Sequence, residues 1–370
     1  MEDNKPSRDG VFGAFHGYGN NIKKKYTSFM ELSPKERGKA ALDFGLNNAM
    51  FIIIALSVII IAVMRPRFLS AASIINIISL TASRLPIALG IGGAIVLTGT
   101  DISAGRAVGL TAIIAASLLQ SASYGGKMLA ISPIPIPIVI LAVIAVGALL
   151  GFVNGFFVAK FKLHPFIVTL STQLILYGIS LLYLQIGGNG GQTLSGLGQN
   201  FVEFVTGALF KVGGIAVPRY VLYSVIITVI MWVVWNKTVF GKNMFAVGSN
   251  EEAARVCGVD VFKTVVAVFV IAGALYGVTG FIESARIGSS ASYTGLNYES
   301  DAIASCVIGG VSFVGGTGKI SGIVIGVLLL QIIFVGLNFL SVDQNLLYII
   351  KGLIILLACA IDMRKYLQKK

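Results

Sequence analysis

Gly315-Gly316-Thr317-Gly318-Lys319 has the glycine content and closing lysine of a loop that wraps backbone N–H groups around phosphate. That loop also needs a glycine at position 313 and a serine or threonine at position 320 to hold magnesium. Phe313 and Ile320 stand there instead, so the stretch is not a nucleotide loop. Catalysis elsewhere would need a nucleophile, a base and a group to orient the base. No such grouping is visible. His16 and His164 are isolated, and Cys257, Cys306 and Cys359 have neither metal-ligand spacing nor a disulfide pattern. No catalytic residue, metal site or cofactor of this chain is expected.

The remaining polar chemistry lies in or beside apolar stretches: Arg84, Asp101, Arg106, Glu283, Arg286, Glu299, Asp301 and Lys351. Ionisable groups in such surroundings face a cavity, a partner or an interface, because burying an uncompensated charge is costly. Asp101 and Arg106 are close enough in sequence for a local electrostatic contact, although off the best same-face helical spacing. Asp101, Arg106, Asn154, Thr169, Arg286 and Asp301 are the candidates for lining or gating a path. Structural pairing is the competing reading for the charged residues, and hydrogen bonding between helices for Asn154 and Thr169.

The elements that must position these groups are membrane spans. Of the 370 residues, 56% are hydrophobic and 12% charged, against about 25% charged in an ordinary soluble domain. Apolar runs approach the roughly 20 residues that cross a bilayer and are separated by short polar or glycine-rich breaks. Ten spans are predicted, at 47–64, 74–98, 103–121, 137–159, 166–186, 219–236, 264–284, 300–315, 320–338 and 345–362. The third and eighth have the weakest patterns. Glycines recur four apart at Gly147, Gly151 and Gly155, at Gly273 and Gly277, and at Gly322 and Gly326, the spacing of ridges that let helix backbones approach. Gly92-Gly93 through Gly105 and Gly309-Gly310 through Gly322 share a Gly-Gly, Gly-Thr, Ile-Ser order, too short to establish a repeat.

The net charge of +12 is concentrated in membrane-flanking positions rather than in a nucleic-acid-binding pattern. Lys23-Lys24-Lys25, Lys35, Arg37 and Lys39 precede the first span, and Arg364, Lys365, Lys369 and Lys370 follow the last. Positive residues hold loops in the cytoplasm, so both termini are expected there, with Arg65 and Arg67 as exceptions. No cleavable signal peptide is visible. Three segments follow: a cytoplasmic segment over 1–46, in which Ser33-Pro34-Lys35-Glu36 starts a lead-in helix; a transmembrane domain over 47–362; and a basic cytoplasmic tail over 363–370.

Between the sixth and seventh spans lies the most structured polar stretch, 241–260. Ser249 is expected to cap a short helix with Glu252 returning the bond, Glu251 and Glu252 complementing its positive end. Asn250, Ala253 and Ala254 complete it, Arg255 lies toward its negative end, and Gly258 ends it. A solvated connector does not need such a helix, whereas an element gripped by a partner does.

This stretch resembles the coupling region of permease subunits of bacterial ABC sugar importers of the ribose, xylose and galactoside group. The resemblance continues in order through Leu97-Thr98-Gly99-Thr100-Asp101-Ile102-Ser103-Ala104-Gly105-Arg106, Gly151-Phe152-Val153-Asn154-Gly155 and Pro165-Phe166-Ile167-Val168-Thr169-Leu170. It extends through Ala285-Arg286-Ile287-Gly288-Ser289, Asp301-Ala302-Ile303-Ala304-Ser305-Cys306-Val307-Ile308-Gly309-Gly310 and the turn at 315–318. Within the group, the Thr-Asp-Ile-Ser-Ala-Gly-Arg and Ala-Arg-Ile-Gly-Ser forms look most like the galactoside members. The long N-terminal segment departs from the short one usual in the family.

The resemblance implies an all-α integral membrane protein of about ten helices with a type II ABC-importer-like permease fold, in the bacterial inner membrane. It further implies a second copy of the chain, an ABC ATPase docked on 249–260 that carries the ATP and Mg, and a periplasmic or lipoprotein sugar-binding protein outside. The implied cargo is galactose, glucose or a methyl-galactoside, with a pentose or nucleoside as the alternative within the class. An ion-coupled secondary transporter is the rival from another class and would need buried carboxylates at broken helices near the midplane. Lipid surrounds the chain, and no nucleic-acid partner is expected.

Overall fold

A computed structural model describes residues 49–367. The chain divides into Met1–Ile53, of which only the last residues are described, and a compact unit Ile54–Lys370. The expected segment 1–46 and its lead-in helix lie outside the described residues.

The elements run in order α1 (Ala49–Met64), α2 (Ala71–Val96), α3 (Ala104–Leu118), α4 (Ile136–Phe161), α5 (Pro165–Tyr183), α6 (Gln199–Thr206), β1 (Ala208–Val212), β2 (Ile215–Pro218) and α7 (Arg219–Lys237). They continue with α8 (Val239–Ser249), α9 (Glu251–Val256), α10 (Val261–Ile287), α11 (Tyr298–Ile308), α12 (Ile320–Phe339) and α13 (Gln344–Leu367). Every expected span holds a helix. Six of these, α2, α4, α5, α7, α10 and α12, are long and apolar enough to cross a membrane by themselves, and the chain is a multi-pass membrane protein. β1 and β2 form an antiparallel hairpin.

Helix ends fall within three residues of expectation except at the ends of the eighth and last spans. The third span is a short helix, Ala104–Leu118, preceded by irregular chain. The eighth ends at Ile308 rather than 315, because Gly310, Gly315 and Gly316 take left-handed conformations that an α-helix cannot continue through. The last helix runs to Leu367, so Arg364 and Lys365 belong to its final turns rather than to a separate tail.

Local chemistry sets the helix ends. Ser70 caps α2 by accepting the Ser73 N–H, His164 Nδ1 accepts the Phe166 N–H at the start of α5, and Asp260 accepts the Lys263 N–H at the start of α10. Gly288, at φ 76°, ends α10 in the left-handed conformation that glycine adopts without penalty. Pro86 lies inside α2 and has no N–H for the carbonyl of Ala82. Ser224 Oγ, on α7, donates to that carbonyl at 2.6 Å, so a neighbouring span satisfies the group that proline leaves open. Ser224→Ala should therefore destabilise the protein by about 1–3 kcal/mol, read as a lowered unfolding midpoint in detergent.

α10 is the central helix. It packs on α2, α3 and α4, while α4, α5 and α7 keep broad apolar faces exposed, as lipid-facing helices do. The α4–α10 crossing is made glycine on glycine: a Cβ on Gly273 would overlap the Gly147 carbonyl, and one on Gly147 would overlap the Gly273 carbonyl. The glycine spacing noted in the sequence thus brings two backbones into contact. Gly322 and Gly326 serve α12 in the same way against Gly309 and Ser305.

Candidate functional site

The structured stretch between the sixth and seventh spans folds as two helices, α8 and α9, with a cap other than the expected one. Asn250 has the extended backbone of an N-cap, and its Oδ1 accepts the Ala253 N–H at 2.9 Å. Ser249 is instead the last residue of α8 and turns its hydroxyl back to donate to the Phe245 carbonyl. The helix is consequently shorter than 249–260. It carries Glu251 and Glu252 in its first turn and Arg255 in its last, with Arg255 reaching Glu251. That ion pair is half-exposed and contributes at most about 1 kcal/mol. Gly258, at φ 84°, closes the end as its N–H reaches the Arg255 carbonyl.

One residue anchors α9. Ala254 is buried with Ala94, Val247, Val265 and Phe269, whereas Glu251, Glu252, Ala253, Arg255 and Gly258 are exposed and Val256 is 89% exposed. A small apolar contact therefore seats the helix on the bundle and leaves the rest of its surface presented. Beside it is a cavity of about 380 Å³ lined in part by Thr98, Gly99, Lys162, His164, Asn250 and Glu251. Asp260, which follows α9, is held below its usual pKa of 3.8, first by the Lys263 backbone N–H and then by the Lys263 side chain.

α8 ends against the two irregular segments of the bundle. The Gly316 N–H donates to the Val96 carbonyl at 2.9 Å, joining the turn at 315–316 to the end of α2. Gly248 sits so close to Val96, and Gly316 so close to Ser249, that a Cβ on either glycine would overlap its neighbour. The two stretches with the shared Gly-Gly, Gly-Thr, Ile-Ser order thus meet beneath α8.

Above this contact, Asp101 is fully buried. Its Oδ1 accepts the Ser103 N–H at 3.0 Å and the Ser103 hydroxyl at 2.6 Å. Asn154 Nδ2, on α4, donates to Ser103 Oγ at 2.9 Å, and Thr172 Oγ1, on α5, donates to Asn154 Oδ1 at 2.6 Å. The Thr169 hydroxyl oxygen accepts the Ile102 N–H and its proton faces the Thr100 carbonyl, both at 3.2 Å. Asp101, Asn154 and Thr169 are thereby brought together around one irregular segment, 97–103. The hydrogen bonds between elements considered for Asn154 and Thr169 are made.

Arg106 does not pair with Asp101. Its Nη1 donates to the Ser292 carbonyl at 3.0 Å, and its guanidinium lies 4.3 Å over the Tyr177 ring. Asp101 lies on the irregular segment before α3 and Arg106 in its first turn, and Ser292 and Tyr177 satisfy the arginine instead. Arg286 makes a two-point contact with buried Glu283, at 3.1 and 2.7 Å. Glu283 also accepts the Tyr298 hydroxyl at 2.9 Å, and the Arg84 guanidinium lies 3.1 Å over the Tyr298 ring. Asp301 pairs with Lys351 at 3.0 Å, joining α11 to α13.

Ser103, Thr172 and Tyr298 are partners in these clusters beyond the candidates that the sequence singles out. Thr172 follows Thr169 by three positions, which puts both on one helix face, but nothing in sequence announces that this face meets the segment at 97–103. Asn154, Thr169, Glu283 and Asp301 each bond a group on another element, an arrangement that ties helices together.

The chain belongs to the family described as branched-chain amino acid transport system / permease component, whose model matches residues 68–359. It is 43% identical over 340 residues to a galactose/methyl galactoside import permease of Haemophilus influenzae, covering 92% of this chain and 100% of that one. The Escherichia coli galactose/methyl galactoside import permease is 41% identical, with 90% and 98% covered. A ribose import permease of Haemophilus influenzae is 34% identical, with 86% and 94% covered. No solved structure matches significantly.

Proposed function

We propose that this chain is the membrane-spanning permease of an ATP-driven, binding-protein-dependent importer of galactose, glucose or methyl galactoside. It works as a second-copy homodimer in the bacterial inner membrane, with both termini and α9 on the cytoplasmic side. A separate ABC ATPase carries ATP and Mg, and a periplasmic or lipoprotein binding protein delivers sugar from outside. The observation that carries this reading is α9 itself: a capped helix seated by Ala254 and otherwise exposed, directly following α8, whose end meets the contact between the two irregular segments. Galactose-type cargo is favoured over ribose by the higher identity to the galactose/methyl galactoside permeases.

In this mechanism, closure of the ATPase pair moves α9. The motion passes through α8 and the 315–316 turn to α2, and the bundle exchanges between outward-open and inward-open packings. The ATP cycle biases a two-state element, and sugar selectivity resides mainly in the external protein. An ion-coupled secondary transporter would need an ion site of buried carboxylates; of the two candidates, Asp301 is paired with Lys351, and Asp101 Oδ1 is taken up by the Ser103 N–H and hydroxyl.

Charge reversal of Glu251 and Glu252 together tests the docking site. Purification in mild detergent, with mass spectrometry of the associated chains, should recover an ATPase with the native protein. The double variant should lose about tenfold or more of that association, consistent with loss of an interfacial charge cluster. Full association of the charge-reversed protein would contradict the assignment of α9.

A further inference from the structure

Arg106 holds more hydrogen-bond donors than the fold uses. A guanidinium carries five N–H groups, and the one hydrogen bond Arg106 makes among the described residues runs from Nη1 to the Ser292 carbonyl. Glu299 is near enough to be felt electrostatically, but no carboxylate of the described residues lies within ion-pair distance of Arg106. The side chain is half-buried and lies over Tyr177, 4.3 Å from the ring centre. Tyr177 is itself 39% exposed. Gln173 stands one turn before it on the same face of α5, half-buried and with no hydrogen bond to another described residue.

Depth makes these three side chains informative. Tyr177 stands about 18 Å along α5 from Pro165 and about 9 Å short of Tyr183, which places it inside a hydrocarbon layer roughly 30 Å thick. Hydrocarbon solvates neither a guanidinium nor an unbonded amide, so a side that carries both faces a water-filled path or a partner rather than lipid. The backbone alongside agrees. Between α10 and α11, residues 288–297 are irregular, and Gly105 and Gly109 let this chain lie directly on α3: a Cβ on Gly109 would overlap the Thr294 carbonyl, and one on Gly105 the Gly295 carbonyl. Irregular backbone at membrane depth is tolerated only where protein buries it or where it lines a cavity, and Tyr293, next to the residue that Arg106 bonds, is 67% exposed.

We infer, resting on the reading of the chain as a sugar-importing permease, that Arg106, Gln173 and Tyr177 form a sugar contact on the wall of the translocation path. The open part of the Tyr177 ring packs against the C–H face of a hexose, the free guanidinium N–H groups donate to hydroxyl oxygens, and the Gln173 amide donates and accepts. Three side chains give a contact weak enough to release the sugar onward, as a path requires.

Gln173→Leu tests the contact, because leucine fills a similar volume and removes an amide that bonds nothing here. Liposomes would hold the chain with its ATPase and enclosed ATP, with galactose-loaded binding protein at saturation outside. Uptake of labelled galactose should fall about fivefold, the scale of one lost hydrogen bond, and Tyr177→Leu should lose a similar factor. The yield and unfolding midpoint of Gln173→Leu in detergent should match the native protein. A diazirine-bearing galactoside, delivered by the binding protein to the native transporter, should label α5 between Gln173 and Tyr177, a measurement that stands even if a variant folds poorly. Native uptake by Gln173→Leu, or labelling confined to other elements, would overturn the inference. So would a dimer that falls apart in that variant, since a second copy would then cover this face. No uptake by the native transporter with ATP, ATPase and binding protein all present would instead overturn the importer reading.

Discussion

Gly273→Leu should leave little folded protein, because the leucine has no room at the most intimate crossing in the bundle. The Cβ alone would overlap the carbonyl of Gly147, and the groups it meets on α4 are backbone, which cannot swing aside as a side chain can. Gly151 is in the same position against the Phe269 carbonyl and Gly277 against the Val143 carbonyl, so the two helices have no neighbouring register in which to relax. Overpacking usually costs about 1–3 kcal/mol, and a clash between backbones belongs at or above the top of that range. The yield of monodisperse protein after detergent extraction, together with its unfolding midpoint, measures the effect. Gly178→Leu is the control, since a Cβ there meets nothing within 4 Å. Equal yields from the two variants would contradict the packing described.

Glu283→Ala should be nearly as damaging. Its carboxylate is fully buried and receives Arg286 twice and the Tyr298 hydroxyl once, while the Arg84 guanidinium lies over the Tyr298 ring. Removing it leaves two guanidinium groups near each other with no anion between them. Breaking a buried pair by deleting one partner costs about 3–5 kcal/mol, because the surviving charge remains in surroundings that cannot solvate it. Glu283→Gln should fall between, keeping an acceptor but not the charge. Chemical unfolding in detergent would show it, and an alanine variant as stable as the native protein would mean that the Arg84–Tyr298–Glu283–Arg286 cluster is not structural.

The long spans were legible because their apolar runs match the bilayer; the caps at Ser70, Asp260 and Gly288 lie just outside the runs 74–98 and 264–284 and lengthen the helices beyond them. The glycine ridges were legible as spacing, though not as to which helix each would meet. The eighth span was misjudged in length because apolar residues continue past the point where the backbone leaves the helix. Left-handed glycines at 310, 315 and 316 decide that, and hydropathy does not register backbone conformation. The cap expected at Ser249 falls to Asn250 because α8 continues through Ser249, with Gly248 packed against Val96.

The charged residues divide in the same way. Glu283 with Arg286 is a local pair, three apart on one helix, and could be read directly. The fates of Asp101 and Arg106 depend on contacts from α4, α5 and the segment before α11, which no local rule foretells.

Uptake of labelled galactose into liposomes tests the central claim most directly. The vesicles would contain this chain with its co-purifying ATPase, ATP would be enclosed on the α9 side, and sugar-loaded binding protein would be supplied on the other. The account predicts accumulation that requires ATP, the ATPase and the binding protein together. Accumulation by this chain alone, in the absence of ATP, would contradict it.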